Sequence, residues 1–450
     1  MSLKIIVDNP TIVKKSKIGA NIKCDSINAI SEISIDFKSL HPFANSVNKK
    51  TLDLFFLASF VYGIDRFIER HSYSIDGWTR EFDVVLPVYE LNDWNLVKED
   101  FEKLLSFLTG DIWEINFVKN NLIIPTFEKL DRYEELFTQV NLFSGGLDSL
   151  IGALDFLSDN PKEKLLLVSH IDGHISARIE QEALKKLLSD NFSNQFDFIP
   201  SVNVSLSKTN IEKEKTFRSR SLLFVSIAVI LADYKKIPVC IPENGTVSLN
   251  FPLSSSRRSA CSTRTTHPTF IYAVQNLLNK IGLNINLKNP YDLNTKGEMV
   301  TNCKNLDLLT SIINQSNSCG KGGHTVNWIY KGNGESHCGV CMPCIYRQAS
   351  LQNIIDATKY GNTINKEYTG RTRRTPFLKS KQGQDFNACL EFLNETFSDI
   401  EIRNELLING VKNLEKLEDY VDLVKRSRKE LSSWINKTGS PYIKTKAGII

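Results

Sequence analysis

Two short stretches of this sequence combine residue types that can do chemistry. The first is Ser144-Gly145-Gly146-Leu147-Asp148-Ser149, set between the apolar, β-prone run 140–143 and the helical run 150–157. Paired glycines let a backbone turn tightly and approach a ligand closely. A helix start just beyond them offers unpaired N–H groups and the positive end of the helix dipole, and two serine hydroxyls add donors. Such a combination cradles a phosphate or pyrophosphate. Asp148 is placed to hold Mg2+, which prefers a carboxylate together with phosphate oxygens. The chain has no G-x-x-x-x-G-K-[ST] loop, and no G-x-G-x-x-G follows a strand, which disfavours the usual γ-phosphate and dinucleotide motifs. The plainer alternative is a glycine turn with a capping serine.

The second stretch is Cys338-x-x-Cys341-x-x-Cys344, with Cys319 upstream in Ser318-Cys319-Gly320. Four thiolates suit a closed tetrahedral Zn2+ site, and Gly339 eases the turn between ligands. The spacing also suits an iron–sulfur cluster, but a fourth thiolate on a separate segment favours zinc. His324 and His337 are alternative ligands, and unliganded thiols are the remaining reading. The expected role is structural, pinning a long loop too poor in apolar residues to fold alone.

Weaker signals surround these two. Glu243-Asn244-Gly245 follows an apolar run and could bind a base or amine, or simply turn the chain. Thr295-Lys296-Gly297-Glu298 reads as a capping box, Thr295 and Glu298 exchanging bonds with backbone N–H groups. No Asp or Glu occurs from Asn244 to Tyr291, a window that holds Arg257, Arg258, Arg264 and His267. Arginine forks suit a carboxylate or phosphate, although a solvated surface loop is the bland reading. Arg371, Arg373, Arg374, Lys379 and Lys381 sit together without an acid, as solvated linkers do or as a phosphate or nucleic-acid contact would. The segment 72–80 (SYSIDGWTR) is unusual, and its plain reading is a turn with a packed Trp78.

These residues need elements to hold them. From about 136 the chain alternates continuous apolar runs (140–143, 165–168, 198–204, 238–241) with helical patterns (150–157, 178–188, 222–233). That alternation predicts a parallel sheet with helices on both faces, and a loop after its fourth strand beside the ligand-binding ends of the strands. Residues 1–135 read as a mixed α+β domain, with strands at 82–88 and 112–117 and helices at 52–70 and 96–108. Residues 136–365 read as a domain containing both motifs, with the metal loop at 319–344. Residues 366–450 read as a helical, charged region.

Composition sets outer bounds. With 450 residues the chain holds about three domains' worth of sequence. It is 41% hydrophobic and 24% charged, an ordinary globular mixture that excludes disordered and collagenous classes. The net charge of +4 is too small to argue for general nucleic-acid binding. Residues 371–450, with 15 Lys/Arg against 11 Asp/Glu, account for all of that charge. The longest apolar stretch, 222–232, is too short for a membrane span and is expected to be a buried helix. No secretory signal is visible, and nine cysteines, four of them crowded, fit reduced cytoplasmic thiols with one metal site better than a disulfide scaffold.

The loop 144–149 resembles that of the PP-loop ATP pyrophosphatases. The resemblance implies an adenine-nucleotide α-hydrolase-like (Rossmann-like) α/β sheet and cleavage of ATP between its α and β phosphates. AMP is then placed on a substrate oxygen while the loop holds the departing pyrophosphate. Cys338-Gly339-Val340-Cys341-Met342-Pro343-Cys344-x-x-Arg347, with the preceding Ser318-Cys319, is similar to the zinc loop of the QueC (7-cyano-7-deazaguanine synthase) family. The segment 217–226 (FRSRSLLFVS) resembles that family's G-R-N-x-x-x-x-x-S stretch, with Arg220 on its arginine, and Thr295-Lys296-Gly297-Glu298 resembles its T-K-x-E helix start. The resemblance spans about 140–350. The chain departs from it at Ser219 and Ser221, in the longer gap from Cys319 to Cys338, and at His170-Ile171-Asp172-Gly173-His174, where the family has Tyr-Gly-Gln.

Gly77-Trp78-Thr79-Arg80 and Ser262-Thr263-Arg264-Thr265-Thr266-His267-Pro268 further resemble the QueC-like proteins of bacterial anti-phage defence operons, those of the Qat system in particular. A related protein acts in type IV CBASS operons. The resemblance implies an ATP-dependent ligase that activates a 7-deazaguanine-type carboxylate and passes it to an amine, with a partner protein of the same operon as acceptor. Its implied catalytic residues are Asp148, Arg220 and Lys296. ATP would lie on Ser144, Gly145, Gly146, Leu147, Asp148, Ser149 and His170, and the substrate on Glu243, Asn244, Arg264 and His267. The implied cofactors are ATP, Mg2+ and Zn2+. Two other functions fit the same motifs: a PP-loop enzyme that thiolates tRNA, and a nucleotide-binding scaffold without turnover.

Overall fold

A computed structural model describes residues 2–14, 17–125, 136–170, 175–254, 264–321, 328–330, 332, 334–369 and 375–450. Arg257, Arg258, Ser262, Thr263, His324, Arg371, Arg373, Arg374 and the segment 171–174 lie outside the described residues. The fold is mixed α/β, built on one large, mostly parallel sheet. Its strands are β1 (Leu3–Val7), β2 (Thr11–Lys14), β3 (Lys17–Cys24), β4 (Ala29–Asp36), β5 (Glu81–Val88), β6 (Ile112–Lys119), β7 (Gln139–Leu142), β8 (Leu165–His170), β9 (Phe196–Ser207), β10 (Val239–Cys240) and β11 (Leu287–Lys288). The order across the sheet is β11-β10-β7-β8-β9-β4-β3-β1-β5-β6, with β2 on β3.

Strand β8 shows why the continuous apolar runs become central strands. Leu166 and Val168 enter one core while Leu165 and Leu167 enter another on the opposite face, so every position of the run is buried. One face is covered by the helices Lys49–Phe67 and Arg220–Lys235, whose residues fill the first core. The other is covered by Leu147–Asp159, with Leu184 and Leu188 of the helix Ile175–Asn191. Each fully buried Leu, Ile, Val or Phe contributes about 1.5–3 kcal/mol relative to exposure, so these two faces dominate the stability.

The sequence suggests a division near residue 135, and the sheet runs across it. Strand β9 has 12 residues against six in β8. Its first half pairs parallel with β8, and its second half, 203–207, pairs antiparallel with residues 32–36 of β4. The amino-terminal strands therefore extend the same sheet and share the first core.

A buried ion network ties these parts together. Arg80 donates to Asp65 at 2.6 Å and to Asp111 at 2.7 Å, and Arg70 donates to Asp111 at 2.8 Å. Asp65 also accepts from the Ser219 amide at 3.0 Å and its hydroxyl at 2.7 Å. Ser219 caps the helix Arg220–Lys235, so the network fixes where Arg220 begins that helix. Trp78, expected only to pack, is half-buried with the Arg70 and Arg218 guanidiniums over its ring at 4.9 and 4.5 Å.

The last part of the chain is helical as expected: Gln384–Asn394, Asp399–Ile408, Leu417–Thr438 and Pro441–Lys446. Their apolar faces form a separate core that also contains Cys338, Cys341 and Cys344. The metal loop thus borrows apolar cover from the carboxyl-terminal helices. Among the described residues, no helix is long and apolar enough to cross a membrane.

Candidate functional site

Strand order locates the crevice. From β7 the chain builds β8 and β9 on one side, then returns to place β10 and β11 on the other. Open α/β sheets bind ligands where the order reverses, outside the carboxyl ends of the strands. The two loops there are 143–146 after β7 and 242–244 after β10. Gly145 adopts φ +85°, which a residue with a side chain reaches only at a cost of about 1–2 kcal/mol. Gly146 caps the helix Leu147–Asp159, which starts three residues earlier than the apolar run implies and places Asp148 in its first turn. The Gly146 amide donates to Ser144 Oγ at 3.3 Å, and Ser149 Oγ donates to the Gly146 carbonyl at 3.0 Å. Gln181 donates to the Ser144 carbonyl at 3.2 Å, and the Asn317 amide to the Gly145 carbonyl at 2.9 Å. The bend is therefore braced from two sides.

Asp148 is the hub of this region. Lys296 Nζ donates to its Oδ1, and Asn244 Nδ2 donates to its Oδ2 at 2.6 Å. Asn244 has a second task, accepting from the Val247 amide at 3.0 Å as the cap of a short helix. Burial alone would raise the Asp148 carboxyl, but the Lys296 charge and hydrogen bonds from Glu243, Lys296 and Asn244 outweigh it and hold it at about 2. Burial and the Asp148 charge drive Glu243 the other way, well above the ordinary carboxylate range. The Asp148 oxygens thus carry the charge while Glu243 holds a proton against them. Lys296 leaves the capping box as expected: Thr295 Oγ1 accepts from the Glu298 amide at 3.1 Å, and Glu298 accepts from the Thr295 amide at 2.9 Å.

These groups face one cavity of about 510 Å3. Its polar wall holds Ser144, Gly146, Asp148, Ser149, Arg220, Glu243 and Lys296. Phe251, Leu253, Met342 and Tyr346 form an apolar side. A cationic and N–H-lined end beside an apolar side suits a ligand with a phosphate chain and a flat ring.

The four cysteines converge. Their sulfurs all lie within 4.8 Å of one another, and Cys338 Sγ is 3.8 Å from Cys344 Sγ. Tetrahedral Zn–S bonds of about 2.3 Å place sulfurs about 3.8 Å apart, so the group could hold a zinc ion. The amides of Lys321 and Cys338 donate to Cys319 Sγ at 3.4 and 3.2 Å, and that of Cys341 donates to Cys338 Sγ at 3.3 Å. Such donors offset thiolate charge. Gly339, at φ +80°, passes so close to Asn362 that an added Cβ would lie 2.4 Å from its carbonyl oxygen. His337, an alternative ligand on sequence grounds, is committed elsewhere. Its Nε2 accepts from the Ser318 amide at 3.1 Å, and its Nδ1 lies 2.7 Å from Ser336 Oγ. Arg347, buried on the helix Met342–Ser350 that also carries Cys344, donates to Ser316 Oγ at 2.9 Å and to the Ile313 carbonyl at 2.7 Å. Because 316–319 runs from Arg347 past Asn317 to Cys319, the cysteine knot and the diglycine bend brace one another.

Five expected ligand residues do not line the cavity: Gly145 and Asn244, which shape the bend and hold Asp148 from behind it, and His170, Arg264 and His267, which are engaged elsewhere. His170 packs edge-on against Tyr62, with ring centroids 5.9 Å apart. Arg264 donates to the Phe107 carbonyl at 2.9 Å and lies 4.3 Å over the Phe107 ring. His267 caps the helix Pro268–Lys280 and meets the same ring at 5.2 Å. Burial and the Arg264 charge push the His267 imidazole down to about 3, so it is neutral. The acid-free stretch therefore contributes, through these two residues, a clamp on Phe107 rather than an anion site. Asn317, Tyr346 and Asp385 also line the cavity, without having stood out in the sequence. Only the position of Tyr346, two residues past Cys344, hinted at this. No family model matches the chain, and no curated protein does either.

Proposed function

We propose that this protein is an ATP-dependent carboxylate–amine ligase of the QueC-like PP-loop type, with a sheet of the adenine-nucleotide α-hydrolase kind. The observation that carries the reading is the diglycine bend at the strand switch, facing Lys296 and Arg220 across one cavity. A carboxylate oxygen of the substrate attacks the α-phosphorus of ATP and the bond to the α–β bridging oxygen breaks, leaving pyrophosphate on the N–H groups of the bend. Lys296 and Arg220 offset charge that grows on the bridging and equatorial oxygens. Asp148 offers the carboxylate oxygens a magnesium ion prefers, and that ion would neutralise phosphate charge. An amine then attacks the acyl carbon, AMP departs, and the amine's proton passes to solvent.

The resemblance of the sequence motifs points to a 7-deazaguanine-type acid, and to a protein amine from a defence operon as acceptor. The apolar cavity wall of Phe251, Met342 and Tyr346 favours a flat heterocycle. The test is ATP–pyrophosphate exchange with a 7-deazaguanine carboxylate, paired with intact mass measurement of a co-expressed neighbouring protein. Exchange that disappears in Asp148→Ala, and a mass gain of one deazapurine acyl group, are expected. Turnover that needs tRNA and ignores the acid would favour the thiolation reading, and nucleotide binding without turnover the scaffold reading.

A further inference from the structure

We propose that Glu430, on the helix Leu417–Thr438, is a positioning residue for Lys296, so that the carboxyl-terminal helices complete the adenylating site. This rests on the ligase reading above. Thr295 Oγ1 donates to Glu430 Oε2 at 2.6 Å and the Gly297 amide donates to the same oxygen at 3.0 Å. These two donors are the residues on either side of Lys296. Gly297 permits the approach, since a Cβ there would lie 2.4 Å from Oε2. One turn earlier, Arg426 bonds Glu298, the acid that closes the capping box, and donates to the Leu293 carbonyl at 2.9 Å. A helix of six residues, Lys296–Thr301, cannot fix its own first turn in water. Here one long helix fixes it through two side chains, and the flexible Lys296 stem is aimed from an immobile root at Asp148 and the cavity.

Both donors fall on Oε2, so the interaction needs an acceptor oxygen rather than a charge. Burial, opposed by the Thr295 and Gly297 hydrogen bonds, pushes this carboxyl above its ordinary range, and a proton on Oε1 would leave both bonds intact. Glutamine at this position therefore preserves the contact and alanine does not.

The experiment uses the full chain and two readouts: kcat and KM for ATP in pyrophosphate exchange, and the rate at which an amine-acylating reagent modifies Lys296, followed by peptide mass spectrometry. Glu430→Ala is expected to lower kcat on the order of tenfold to a hundredfold, the effect of a small misplacement, with KM for ATP little changed. It is also expected to speed Lys296 modification. Glu430→Gln should restore both readouts. Gly297→Ala should behave like Glu430→Ala, and the double variant should be no worse than either single one, because both disturb one contact. Wild-type kcat and labelling in Glu430→Ala, or a glutamine variant as impaired as alanine, would overturn the proposal. If Glu430→Ala does not fold, Gly297→Ala carries the same comparison. A wild-type chain without exchange activity removes the ligase reading alone, and the labelling rates then decide whether Glu430 holds Lys296.

Discussion

Replacing Lys296 with methionine removes the cation from a buried carboxylate and leaves the stem. Asp148 and Lys296 are both nearly buried, at 6% and 7% side-chain exposure, so solvent screens their attraction little. The fall of the Asp148 carboxyl from 3.8 to about 2 corresponds to native-state stability on the order of 2 kcal/mol at neutral pH. A carboxyl held low contributes stability that is present above its unfolded value and is lost as pH falls toward the folded one, here between about pH 4 and pH 2. In Lys296→Met the same carboxyl, buried beside Glu243, is pushed up instead. Its favourable contribution is then present in acid and lost as pH rises. The stability gap between the two proteins should be widest near pH 7, on the order of 2 kcal/mol or more, approaching the ~3–5 kcal/mol of a stripped buried pair, and should narrow toward pH 4. Urea unfolding at pH 7 and pH 4.5 measures it. Asp148→Asn/Lys296→Met should be more stable than Lys296→Met at pH 7, because it removes the stranded charge. A Lys296→Met protein as stable as wild type at pH 7, or a double variant no better than the single one, would show that Lys296 does not neutralise a buried Asp148 charge.

Three further outcomes are expected. Elemental analysis should find about one zinc per chain, and Cys341→Ser should lose it and slow pyrophosphate exchange, because 317–319 links the knot to the Gly145 bend. Arg80→Met, which takes the close cation from buried Asp65 and leaves Asp111 with Arg70 alone, should cost about 3–5 kcal/mol in urea unfolding, whereas Lys103→Met at the exposed pair with Glu99 should change stability by less than about 1 kcal/mol. His267 is held neutral, with its folded pKa down at about 3, so it contributes stability present above about 6.5 and lost as pH falls. Replacing it with asparagine, which can still cap Thr269, should remove up to about 1.4 kcal/mol of acid sensitivity per pH unit below 6.5, read from pH-dependent unfolding.

What the sequence disclosed was local. Strand, glycine turn and helix lie within twenty residues around Gly145, the cysteine spacing is its own signature, and Thr295 and Glu298 are three residues apart, so each pattern reports its own geometry. The unread features depend on long-range closure. Lys296 was placed with Asp148 only through the family resemblance of its helix start, not by anything near Asp148, and nothing near Arg264 or His267 announces that Phe107 will occupy them. An arginine-bearing, acid-free run has the composition of an anion site, but burial against an aromatic ring uses the same guanidinium for packing. Strand β9 was legible as a strand, but not the pairing of its far half with β4, since pairing partners are set by the fold rather than by periodicity. Arg80 stood in a stretch singled out for its oddity, and its buried partners were invisible because Asp65 and Asp111 look like ordinary surface acids in one dimension. Glu430 was hidden for the same reason, as one acid among many on a charged helix.

The claim on which the rest depends is that the bend at residues 144–149 receives the β- and γ-phosphates of ATP. A crystal structure of the full chain with a non-hydrolysable ATP analogue and Mg2+ tests it directly. Those phosphates are expected within hydrogen-bond distance of the backbone N–H groups of Gly145 to Asp148, with Lys296 and Arg220 turned toward the α–β bridge. Phosphates seated elsewhere in the cavity, or a nucleotide bound away from the bend, would contradict it.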